Sequence, residues 1–112
     1  MLVYGLLVWV LCFPIDTHAA VSINEIAWMG STESANDEWI ELYNDGSSVA
    51  LDGWVLTDNM DLTIPLSGTI GAGAYAVLER TDDTSAPGAA LLTYTGALVN
   101  TGATLVLRRS DG

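Results

Sequence analysis

Between Val21 and Asp58 three short segments follow one another, V-S-I-N-E-I-A-W-M-G, N-D-E-W-I-E-L-Y-N and L-D-G-W-V-L-T-D, each centred on a tryptophan flanked by acidic or amide residues. Gly, Ser, Asn and Asp separate them. Strands this short bury one face and turn back within a few residues, which is what a small β-sandwich requires. No segment shows a sustained helical hydrophobic period, and no repeat of fixed length stands out.

The finer pattern supports strands. Val21, Ile23, Ile26 and Trp28 alternate with a slip of one at Asn24 and Glu25, the sequence trace of a β-bulge. Over Glu38 to Asn44, Ile40 and Leu42 share one face and Trp39, Glu41 and Tyr43 the other, which predicts a core face and an amphipathic outer face. Asp45 and Gly46 form a turn pair, and Asp52 with Gly53 marks a corner between Val49–Leu51 and Trp54–Leu56. Leu62 to Leu66 reads as a short strand whose Pro65 belongs at an edge or an end, because proline donates nothing to a ladder. A glycine turn at Gly71 to Gly73 precedes Tyr75, Val77 and Glu79, which alternate with Ala76, Leu78 and Arg80. Leu91 to Thr95 and Leu105 to Leu107 read as further strands, and Trp28 and Trp54 as fillers of the core. Asp111 with Gly112 is a hairpin signal with no second arm after it, so the expectation is a domain that lacks at least one strand.

Residues 1–19 have a different character. Met1 to Phe13 is an almost unbroken apolar run, followed by Pro14 and by small and polar residues up to Ala20. A helix of about 12 residues spans roughly 18 Å, short of the roughly 30 Å of a bilayer's hydrocarbon core. A secretory signal peptide over 1–19 fits better, with Thr17 and Ala19 placed for cleavage, although no Lys or Arg precedes the apolar run. The competing reading is a buried first strand or a wrongly assigned start. The domain expected after cleavage is 20–112, on the cell surface or secreted.

Removing 1–19 takes away Cys12 and His18, the only cysteine and histidine, and removing Asp16 moves the net charge from −11 to −10. The remaining chain has no disulfide to rely on and needs a packed core, which about 93 residues can supply. Only Arg80, Arg108 and Arg109 oppose the carboxylates, and there is no lysine. Nucleic-acid affinity rests mainly on cations that neutralise phosphates, so nucleic acid is not an expected partner, and anionic membrane surfaces are disfavoured for the same reason.

The segments N-E-I-A-W at Asn24 to Trp28, D-E-W-I-E-L-Y-N at Asp37 to Asn44, V-x-L-x-G-W-x-L at Val49 to Leu56 and the glycine turn before Tyr75 together resemble the lamin tail domain family, in particular its secreted bacterial members. The resemblance covers most of Val21 to Leu107. It implies an immunoglobulin-like β-sandwich, in agreement with the strand spacing. For function it implies a non-catalytic binding, adhesion or spacer module of an extracellular or cell-envelope protein. The alternative is the N-terminal accessory domain of a secreted hydrolase such as a nuclease, and a third possibility is a sandwich completed by a strand donated by a partner. The chromatin-associated role of the animal members does not carry over, given the charge and the lack of heptads.

Candidate chemistry is sparse. Without His, Cys or Lys after residue 19 there are no triads and no Schiff-base lysine. Glu25 and Glu41 could serve as a glycosidase pair only within a cleft, which a small sandwich rarely offers. Asp37, Glu38, Asp58 and Asp61, with Asn59, Asp82 and Asp83, supply oxygens suited to calcium, yet D-N-M-D lacks the glycine and glutamate of an EF-hand loop, and turn residues bonding their own backbone are the preferred reading. Trp39, Glu41 and Tyr43 are the candidate binding surface, for an unidentified protein or polysaccharide. Against sugar stacking stands packing of the two rings under loops or a further strand, with Glu41 orienting neighbouring backbone groups.

Overall fold

The computed structural model describes residues 20–28, 32, 34, 36–82, 88–99 and 101–111; the expected signal segment, Asp83 and Gly112 lie outside them. Among the described residues every regular element is a strand: β1 Val21–Ala27, β2 Trp39–Asn44, β3 Val49–Ala50, β4 Val55–Thr57, β5 Thr63–Pro65, β6 Thr69–Ile70, β7 Tyr75–Arg80, β8 Leu92–Tyr94 and β9 Val106–Arg108. They form a four-stranded sheet ordered β1-β2-β7-β8, a three-stranded sheet β5-β4-β9 and a two-stranded ribbon β3-β6.

The core lies between these sheets and follows the predicted alternation. Ile40, Leu42, Ala76 and Leu78 from β2 and β7 meet Leu51, Trp54, Leu56, Ile64, Leu66 and Ile70 from the opposite layer, with Leu62, Tyr94 and Leu98 closing the ends. Removing a leucine or isoleucine side chain from water contributes about 1.5–3 kcal/mol, so these residues supply most of the driving force of a chain without disulfides. The register between β1 and β2 shifts between Ile23 and Glu25, where the sequence slips. The Asp52–Gly53 corner is present: Trp54 N–H donates to Leu51 O at 2.9 Å, and Gly53 takes a φ of 81°, which a side chain would oppose. Pro65 ends β5, an edge strand, as its missing donor requires.

Two features were not anticipated from the sequence, and one expectation is overturned. Thr69–Ile70 forms a short strand on Val49–Ala50 just before the glycine turn, too brief to leave a periodic trace. The β7–β8 pair is parallel, with Leu78 opposite Leu92, in an otherwise antiparallel sheet. Trp28 does not fill the core: it is 42% exposed, because it follows the last residue of an outer strand, whereas Trp54 is 5% exposed.

The ends of the core face of β2 are polar, and Asn44 and Glu38 there are hydrogen-bonded. Asn44 is buried and its Nδ2 donates to Ser47 O, Ile70 O and Gly71 O at 2.8, 3.0 and 3.2 Å, while its Oδ1 accepts from Gly46 N at 3.0 Å. One amide thus fastens the β2–β3 turn to the glycine turn that leads into β7. At the other end Glu38 is buried and accepts from Arg80 Nη1 at 2.9 Å. Tyr94, the β8 partner of Arg80, completes this cross-strand row.

Candidate functional site

The outer face of the four-stranded sheet carries the predicted site. Alternation in β2 turns Trp39, Glu41 and Tyr43 away from Ile40 and Leu42, and the register sets Trp39 beside Glu79, Glu41 beside Val77 and Tyr43 beside Tyr75. On the other flank, Ser22, Glu25 and Ala27 of β1 pair with Tyr43, Glu41 and Trp39. The three candidate binding residues therefore share one face and are all half-buried.

Their environments differ. Tyr43 and Tyr75 pack with ring centroids 4.6 Å apart and planes tilted by 33°, and Tyr75 is 59% exposed. Glu41 Oε1 accepts a hydrogen bond of 2.7 Å from Asn24 Nδ2, so the residue extruded at the bulge steadies the carboxylate. The partner is a side chain rather than the backbone groups anticipated. Glu25 stands directly opposite Glu41. Like charges facing each other across a pair of strands are in general unfavourable, and here Glu25 is exposed to solvent while Glu41 is hydrogen-bonded by Asn24. As a glycosidase pair, Glu25 and Glu41 would work on an open sheet face and not in a cleft.

Tyr75 was missing from the predicted set. Its signal was local: an aromatic opening an alternating strand immediately after a glycine turn, on the parity opposite to Ala76 and Leu78. Glu79 shares that parity but is buried, and sequence offers no sign of it.

The four candidate calcium residues fall into two pairs, Asp37 with Glu38 just before β2 and Asp58 with Asp61 in the β4–β5 turn. Glu38 is held by Arg80. Asp58 is buried in the β4–β5 turn, where its Oδ1 accepts from Met60 N at 2.8 Å and Leu62 N at 3.0 Å, the backbone-bonding role that turn chemistry predicts. Asp61 is exposed in the same turn, and Asp37 N–H donates to Ser34 O at 3.2 Å ahead of β2. Among the described residues no group of three or more His, Cys, Asp or Glu could hold a metal ion.

A second surface was not anticipated. Ile26, Trp28, Leu98, Val99, Gly102, Ala103 and Leu105 line an open apolar groove of about 180 Å³ beside β1. Its lining includes no carboxylate. Alternation places Ile26 on the core side of β1, opposite Ile40, so the groove and the outer face lie on opposite sides of the same strand.

The layered strands and their shared core define an immunoglobulin-like sandwich module bearing an aromatic and acidic sheet face. The model of the lamin tail domain family matches residues 15–112, and the chain belongs to that family. A search of curated proteins finds no match. Among the described residues no helix is long and apolar enough to cross a membrane.

Proposed function

We propose that the chain is a non-catalytic binding module of a secreted or cell-surface protein, of the bacterial lamin-tail type, and that it engages polysaccharide through the outer face of the β1-β2-β7 strands. The apolar run Met1 to Phe13 supports export, and the family's immunoglobulin-like architecture supports a module that binds or spaces. The single observation that carries the binding face is Tyr75, 59% exposed yet held against Tyr43, with Glu41 one pair of residues further along β2. A fixed aromatic face stacks on the C–H face of a sugar ring, and a steadied carboxylate accepts from its hydroxyl groups.

The test is a fluorescence titration of the chain with a panel of soluble polysaccharides, repeated on Tyr75→Ala and Glu41→Gln. Tyr75 is too exposed for its loss to threaten folding. At least one polysaccharide binds, and each variant weakens it by about tenfold, as expected for loss of a stacking or charge-assisted contact. Binding indifferent to both substitutions, or none across the panel, removes the proposal.

A further inference from the structure

Ile26 and Ile40 are partners in the β1–β2 register, yet Ile40 is fully buried and Ile26 is 42% exposed. The reason is position. Among the described residues β1 pairs with β2 alone, so side chains on its core side are covered from one flank only. Trp28, two residues further on, is also 42% exposed, and the two side chains form one wall of the groove completed by Leu98, Val99 and Leu105. An outer strand turns every second residue's N–H and C=O outward, beside that groove.

We propose that this edge takes up an extended segment of a partner protein in which apolar and basic side chains alternate, added as a further strand on β1. Successive side chains of an added strand point to opposite faces of the sheet. One set enters the groove over Ile26, Trp28 and Leu105, which calls for apolar residues. The other set lies on the outer face beside Ser22, Glu25 and Ala27, where exposed Glu25 stands opposite Glu41. The chain's own cations are placed elsewhere: Arg80 on Glu38, Arg108 on Asn59 and Arg109 on Asp111 and over the Trp54 ring, and there is no lysine. Basic side chains of the occupant would stand beside Glu25 and Glu41, which the arginine contacts above do not reach. A net charge of −11 opposes a second copy of this chain in that role. The inference rests on the β1 edge and does not depend on sugar binding at Tyr75, although the two surfaces share Glu41.

The test uses labelled peptides of about eight residues, an ordinary strand length, and anisotropy titration of the chain. The alternating Val-Lys peptide binds at least about tenfold more tightly than three controls: an alternating Val-Glu peptide, a Val-Lys peptide interrupted by proline, and one with its valines and lysines in separate blocks. Binding protects the β1 amides from hydrogen exchange. The exposed-residue variant Glu25→Lys reverses the preference toward the Val-Glu peptide, and Ile26→Asp, verified as folded by circular dichroism, weakens both. Equal binding of the alternating and blocked peptides would reveal simple attraction to an acidic protein and overturn the proposal, as would an unchanged preference in Glu25→Lys or no binding at all. A dimer by sedimentation that Ile26→Asp abolishes would overturn it in favour of self-association.

Discussion

Replacing Asn44 with alanine should cost the fold more than any other single polar change on β2, and the size of the loss follows from its bonds. Its amide has two protons shared among Ser47 O, Ile70 O and Gly71 O, so it makes two full hydrogen bonds at a time, and its oxygen accepts a third from Gly46 N. A net contribution of about 1 kcal/mol per bond gives about 3 kcal/mol. Ile70 O is buried, and leaving it short of a donor brings the total to about 3–4 kcal/mol. Natural domains have about 5–15 kcal/mol in all. Urea denaturation followed by tryptophan fluorescence should show the midpoint falling at constant slope, because the unfolded state is unchanged. Thermal melting should drop by about 12–32 °C, at about 4–8 °C per kcal/mol for a domain of this size. Asn44→Asp should lose at least as much, since it exchanges the donor for a second oxygen facing three carbonyls. A loss below about 1 kcal/mol in Asn44→Ala would refute the clamp and mean that solvent replaces it freely.

Arg80→Met leaves the buried Glu38 carboxylate without its ion pair, and a loss of about 3–5 kcal/mol is expected in the same urea assay. Adding Glu38→Gln should recover part of that loss; no recovery would mean that Arg80 acts through packing alone. Burial pushes the Tyr94 hydroxyl up from 10.0 to about 12, with the Glu38 carboxylate adding to the rise and Arg80 opposing it. The unfolded chain then gives up this proton first, so the stability is fully present below pH ~10 and is lost as pH rises toward ~12, by up to about 2–3 kcal/mol. Tyr94→Phe should lack that alkaline loss when compared with the parent protein between those pH values, and an identical pH profile would contradict the assignment.

What could be read from the residues in advance was what depends on a two-residue period or on backbone chemistry. The opposite faces of β2, the bulge at Asn24, the corner at Gly53 and the place of Pro65 all follow from neighbours within a few positions. The misplaced features depend on partners distant in sequence. Trp28 alternates like a core residue, and only the strand order leaves it half uncovered. Asn44 reaches a carbonyl 26 residues away, and Glu38 meets Arg80 42 residues on, so neither pairing leaves a local pattern. For the site, the Trp39, Glu41 and Tyr43 face was legible because β2 alternates cleanly. Tyr75 carries a local signal, its place after the glycine turn, but its packing on Tyr43 comes only from the β2–β7 register, and the groove is made by segments distant in sequence.

Binding of polysaccharide through the outer face of the four-stranded sheet can be located by amide shift mapping of the isotope-labelled chain during titration with the polysaccharide that binds best. Shifts concentrated on β2 and the start of β7, at Trp39, Glu41, Tyr43 and Tyr75 and including the Trp39 indole, are expected. Shifts confined to the β5-β4-β9 sheet, or scattered without a focus, would contradict binding at that face.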